Sequence, residues 1–291
     1  MALADRPCPA LTGRRAAGRL VGAVLVLHGG KVRSKEPVRR TNLAYLRMRP
    51  FAAAVDRRAR RDGAAGPNGI GALLLRDRFR GWNGEDADPV ADALWALGRI
   101  EQLYGRISVV LLGHSMGGRA ALRAAGHPMV TGVVALAPWL PEDEPVTQLD
   151  GRRVLIAHGE RDTITDPANS RAYAERAEAA GTDVEYREIP GGKHAMLAGA
   201  SSWHALAAEF AVDRLAERSY AGPGQQEIVG GGAITGRGST GTARARSARR
   251  GRRSARGRRS SAPAPSAPGL APPEAPRPGR RARRESRSPR R

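Results

Sequence analysis

The chain has 291 residues, is 41% hydrophobic and carries a formal charge of +21 at pH 7, enough for a sizeable core in one large domain or two small ones. The charge is unevenly spread: residues 221–291 hold 18 Arg, no Lys and 3 Glu, which places +15 there and leaves a mildly basic +6 on residues 1–220. Cys8 is the only cysteine, so no internal disulfide can form, and the thiol usage suits a cytoplasmic protein.

From the amino end, residues 1–19 read as a partly disordered segment, and the domain proper is expected over 20–220. The apolar run 20–27 follows several arginines and leads into His-Gly-Gly rather than a small-residue cleavage site, so it reads as a buried strand and not as a signal segment. No run reaches the roughly 18 to 20 apolar residues that cross a bilayer. Strands are expected at 22–27, 70–76, 107–112, 130–136, 153–157 and 184–189, each a short aliphatic run. Between them, apolar residues at three- and four-residue spacings predict helices at 42–61, 88–104, 116–125, 167–180 and 202–218. Pro50 is expected to kink or split the first; Asp166 before Pro167 reads as a helix cap, and Gly181 as the end of that helix. Regular strand-helix alternation predicts an α/β fold with a mainly parallel sheet covered on both faces.

Residues 221–291 lack aromatic residues and hold only four large aliphatics, too little apolar surface to offset chain entropy, so a disordered Arg/Pro/Gly/Ala-rich tail is expected. Such a tail could make sequence-independent phosphate contacts, although it offers no aromatic group for base stacking and no specific nucleic acid is implied. Its composition is also that of a shifted reading frame in a G+C-rich gene.

Gly113-His114-Ser115-Met116-Gly117 matches G-x-S-x-G and stands directly between an aliphatic strand and a helix. There, small neighbours let the backbone turn sharply and present the Ser115 hydroxyl at the sheet edge as a nucleophile. Serine needs a general base. Of His28, His114, His127, His158, His194 and His204, His194 follows the last strand through the turn Pro190-Gly191-Gly192-Lys193, and His204 is the fallback. Asp162, in His158-Gly159-Glu160-Arg161-Asp162, is the acid that would orient the imidazole, with Glu160 and the cap Asp166 as rivals. Backbone donors for an oxyanion are expected from Met116 and from Gly30 in the His28-Gly29-Gly30 loop, where His28 has a structural role. Trp82 and Trp139 are expected to line the substrate pocket. Lys31, Arg33 and Lys35 form a basic loop that could attract an anion but reads more simply as solvated surface.

The HGG loop, the GHSMGG turn, the HGERD acid loop and the GGKHAM base loop together resemble the α/β-hydrolase superfamily over roughly residues 22–218. Within it, the chain is similar to small bacterial serine hydrolases of the dienelactone-hydrolase-like or esterase-like kind, with Ser115 where dienelactone hydrolases use cysteine. About sixteen residues separate the strands at 130–136 and 153–157, so no large cap domain is expected. The resemblance implies a two-step acyl transfer on an ester, thioester or amide, a small-molecule acyl substrate, and neither metal nor organic cofactor. A non-catalytic binding protein on the same fold is the alternative from another class.

Overall fold

The computed structural model of the chain describes residues 7–13, 20–63 and 69–220; the expected tail at 221–291 and most of the amino-terminal segment lie outside them. The sheet has seven strands: β1 (Ala10–Gly13), β2 (Gly22–Leu27), β3 (Ile70–Arg76), β4 (Ser108–His114), β5 (Val130–Leu136), β6 (Arg153–Gly159) and β7 (Asp183–Ile189). Five longer helices connect them: α1 (Leu43–Arg61), α2 (Asp88–Tyr104), α3 (Met116–Arg123), α4 (Pro167–Ala179) and α5 (Ala200–Tyr220). The strand order is β1-β3-β2-β4-β5-β6-β7, parallel throughout except for β1, which runs antiparallel to β3. The sequence gives no strand signal at β1, because four residues with one large apolar side chain are too short for a period to register.

Alternation along the central strands explains their continuous apolar character. Leu25, Leu111, Val133 and Ala135 face the layer built from α2, α3 and α4, whereas Val24, Val26, Leu112 and Val134 face α1 and α5. Both faces are covered, as a parallel sheet requires. Burying each leucine, valine or phenylalanine of these layers contributes about 1.5–3 kcal/mol. The edge strand β7 is different. Its sequence DVEYREI leaves charged side chains at the surface, which discourages pairing with another chain.

Helix α1 runs unbroken through Pro50, so of the expected kink or split the split does not occur. Pro50 removes one helical hydrogen bond, but Met48 and Phe51 on either side are fully buried against the sheet and α5, and that packing holds the helix together. The segment joining β5 to β6 carries only one short 3₁₀ turn, Thr147–Leu149. It is fastened by Glu144, whose buried carboxylate accepts from Arg119 Nε at 2.6 Å and from Arg123 Nε, and no cap domain is inserted there. No helix among the described residues is long and apolar enough to cross a membrane.

The chain leaves β2 toward α1 on one face and leaves β4 toward α3 on the other. β2 and β4 are neighbours, so the two departures open a crevice at the carboxyl edge between them, the place where open α/β sheets bind ligands. The crevice is narrow at its base: a Cβ on Gly117 would lie 2.5 Å from the His28 carbonyl oxygen and 2.8 Å from the Leu27 backbone. Gly117→Ala therefore forces α3 away from the end of β2. The expected loss is about 3 kcal/mol of stability, read as a lower urea midpoint; an unchanged midpoint would contradict this packing.

Candidate active site

Ser115 occupies the single residue between β4 and α3. Its φ of 54° and ψ of −119° are a strained conformation for a residue with a side chain. Three backbone bonds hold it there: Ser115 N–H donates to Leu136 O at 2.9 Å, and Ser115 O accepts from Arg119 N at 3.1 Å and from Trp139 N at 3.2 Å. The strain is over-determined by β5 on one side and the first turn of α3 on the other. Met116 begins α3, so its N–H has no partner within the helix. Gly30 comes against it: a Cβ at that position would sit 2.5 Å from the Met116 sulfur and 2.5 Å from the Arg80 carbonyl. The next amide in that loop, Lys31 N–H, is engaged with Arg80 O at 2.7 Å.

The loops after β6 and β7 meet beside the serine. Arg161 N–H donates to Gly192 O at 2.8 Å, and Gly191 N–H donates to the Glu160 carboxylate at 2.8 Å. His194 lies with Nε2 at 3.0 Å from Ser115 Oγ and Nδ1 at 2.8 Å from Asp162 Oδ2. The other carboxylate oxygen of Asp162 accepts from Ile164 N–H at 2.8 Å and Thr165 N–H at 3.1 Å. Burial alone would push the Asp162 carboxyl up, but the Ile164 amide, His194 and the Thr165 amide hold it below the usual carboxylate range. An ionised Asp162 accepts the Nδ1 proton and leaves the Nε2 lone pair facing the serine hydroxyl.

The rival residues have other partners. Glu160 secures the base loop as just described, and Asp166 caps α4 by accepting from Ala168 N–H at 2.8 Å. His204 lies on α5 edge-on to Phe51, 4.4 Å between ring centres. His28 is buried; Nδ1 donates to its neighbour's carbonyl at Gly29, 2.8 Å away, and Nε2 accepts from Asp77 N–H at 3.2 Å, fixing the loop rather than facing the serine. Lys35 is taken up by Asp86 and Asp88 at 2.8 and 2.7 Å. Among the described residues, no group of three or more His, Cys, Asp or Glu is arranged to hold a metal ion.

Trp82 and Trp139 require a correction. The open cleft of about 700 Å³ that contains Ser115 and His194 is walled by Leu43, Ala44, Leu46, Ile164 and Leu197 instead. The two tryptophans pack edge to face, 6.0 Å between ring centres, with the Arg119 guanidinium 4.0 Å and 4.7 Å from their rings. Glu144 pins that arginine, and the whole cluster lines a neighbouring cleft with Arg33 and Arg123. The amino end of α1 supplies what sequence reasoning missed. Leu43, 82% exposed, joins Ile164 at 72% and Leu197 at 70% on the rim of the serine cleft; only the path of the chain over the Gly29-Gly30 loop brings Leu43 there. Arg47 also lines this cleft, and its Nε and Nη2 have no hydrogen-bond partner among the described residues.

The sequence pattern of the dienelactone hydrolase family matches residues 86–218, a span that includes Ser115, Asp162 and His194. Solved structures share the architecture. An α/β serine hydrolase homologue from Coxiella burnetii superposes with a TM-score of 0.51 at 15% identity, covering 69% of this chain and 90% of that one. The chain has the α/β-hydrolase fold. An esterase from Thermogutta terrifontis, Est2, gives 0.52 at 18% identity with 76% and 92% covered, and Est1E from Butyrivibrio proteoclasticus gives 0.50 at 15% with 72% and 94% covered. No curated protein sequence matches. The family pattern and the fold together support a hydrolase.

Two histidines near the site, His28 and His114, are held neutral. Burial lowers His28 to about 4, and burial with the adjacent His194 lowers His114 to about 3. In the unfolded chain both would titrate near 6.5. The unfolded state thus gains protons that the folded state refuses, and the stability present above pH 6.5 falls as pH drops toward 4. In an NMR titration, the His28 and His114 ring signals should stay at their neutral positions at pH 5; midpoints near 6.5 would contradict their burial.

Proposed function

We propose that the protein hydrolyses carboxylic esters by two-step acyl transfer, with Ser115 as nucleophile, His194 as general base and acid, and Asp162 as the orienting carboxylate. The observation that carries this reading is the continuous hydrogen-bonded chain from Asp162 through His194 to Ser115, 2.8 and 3.0 Å, at the floor of an open, largely apolar cleft. Ser115 Oγ attacks the substrate carbonyl carbon while its proton passes to His194 Nε2. The tetrahedral oxyanion is received by the backbone N–H groups of Met116 and Gly30. His194 then gives the proton to the departing alcohol oxygen, the C–O bond breaks, and an ester of Ser115 remains. Water, deprotonated by His194, attacks that ester and releases the acid and the free serine.

Substrate preference follows from the cleft. Leu43, Ile164 and Leu197 stand exposed at its rim and, among the described residues, no acidic residue lines it, which suits an apolar acyl group and repels no anionic substituent. Thioesters share the same carbonyl chemistry, whereas an amide needs its poor nitrogen leaving group protonated by His194 before departure. Ser115→Ala should lower kcat on a short-chain p-nitrophenyl ester by at least about 10⁴-fold, and a fluorophosphonate probe should label wild type at Ser115 alone. Full activity in Ser115→Ala would overturn the reading.

A further inference from the structure

Asp162 has a second histidine. His158, at the end of β6, is fully buried, and its Nε2 lies 3.2 Å from Asp162 Oδ2, the same oxygen that meets His194. On its far side, His158 Nδ1 lies 2.8 Å from Ser170 Oγ, a buried hydroxyl in the first turns of α4. We propose that His158, set by Ser170, is a positioning residue that fixes the Asp162 carboxylate for His194. The inference rests on the proposed roles of Asp162, His194 and Ser115.

The tautomer of His158 follows from its surroundings. Nε2 is hydrogen-bonded to the Thr165 carbonyl at 3.3 Å and the Thr165 hydroxyl at 3.2 Å, and faces the Asp162 carboxylate at 3.2 Å. The carbonyl and the carboxylate only accept, and the Thr165 hydroxyl gives its own proton to Asp162 Oδ2 and so accepts as well; the ring proton belongs on Nε2. Nδ1 then accepts the Ser170 hydroxyl proton. Burial depresses the His158 imidazolium, with Asp162 acting in the opposite sense and His194 in the same sense, consistent with a neutral ring that donates one proton. The groups that face this ring are Asp162 and Thr165 from the acid loop, Ser170 from α4 and His194 from the base loop.

Oδ2 of Asp162 receives two hydrogen bonds, from His194 Nδ1 at 2.8 Å and Thr165 Oγ1 at 3.0 Å, and the His158 Nε2 edge stands beside it at 3.2 Å. With the Ile164 and Thr165 amides on Oδ1, the carboxylate has no rotation left to it. A carboxylate so constrained keeps its plane when His194 becomes cationic during the reaction, and its share of charge on His194 is limited by the other two groups. Losing His158 removes one of the groups packed against Oδ2 and leaves more of the carboxylate's charge on His194.

The test compares His158→Leu, His158→Gln and Ser170→Ala in the full chain, with active sites counted by fluorophosphonate titration so that folded enzyme alone is scored. Gln places an amide N–H near the position of Nε2; Leu does not. Expected for His158→Leu is a fall in kcat of about tenfold, the scale of one lost hydrogen bond to a charged group, with KM within about twofold. Its acidic limb in the pH profile of kcat/KM should move alkaline, and the low-field proton signal of the His194–Asp162 bond should shift. His158→Gln should recover most of kcat and the original limb, and Ser170→Ala should move the limb in the Leu direction by less. Equal loss in Leu and Gln with an unmoved limb and an unmoved low-field signal would overturn the inference and make His158 a packing residue. Asp162→Asn separates the two readings. If it is crippled while His158→Leu keeps the wild-type profile, the positioning role fails alone; if Asp162→Asn is fully active, the assignment of Asp162 fails and this inference with it.

Discussion

The near-contact between Gly117 and the backbone at Leu27 and His28 sets the distance between the first turn of α3 and the end of β2. Every other feature of the site is referred to that distance. It brings Gly30 against Met116, places Ser115 at the crevice where β2 and β4 send their chains to opposite faces, and obliges Ser115 to turn at φ 54°. Backbone strain of this kind persists only where surrounding bonds over-determine it. Here β5, through Leu136, and α3, through Arg119, both grip the same peptide units.

A second constraint acts through electrostatics. The side chain of Asp162 is fully buried, and an isolated carboxylate in such a place would take up a proton. The Ile164 and Thr165 amides and His194 reverse that tendency. The acid loop therefore does two things at once: it supplies a charge to His194 and prevents that charge from being neutralised. The base loop is built onto the same framework, because Arg161 N–H and the Glu160 carboxylate bind Gly192 and Gly191 across the two turns. His114 adds a further tie, its Nε2 lying 2.9 Å from the His194 carbonyl oxygen. The imidazole is thus held from its own backbone as well as from its ring.

Much of this was legible in the residues. The aliphatic runs located six of the seven strands, since a strand buried on both faces needs little else, and the chain order of Ser115, Asp162 and His194 matched their positions after β4, β6 and β7. Other parts depended on contacts that no local pattern encodes. β1 is too short to show a period. Pro50 reads as a break because the buried Met48 and Phe51 that keep α1 whole act through a distant helix. Trp82 and Trp139 looked like pocket walls because large aromatics near a catalytic loop commonly are, yet Arg119 draws both rings to the α3 side. Leu43 and Leu197, by contrast, carry no signal beyond being apolar, and they line the serine cleft because α1 begins and the base loop turns over the same edge. His158 stands four residues before Asp162 in a visible motif, but which face of the loop it bonds is decided by Ser170 on α4.

The central claim is that bond cleavage passes through a covalent ester on Ser115. Rapid acid quench during turnover of a p-nitrophenyl ester, followed by peptide mapping by mass spectrometry, tests it most directly. The account predicts an acyl mass added to the peptide bearing Ser115, formed in step with a burst of nitrophenol and lost as free acid appears. Turnover without any acylated Ser115, or with the acyl group on another residue, would contradict it.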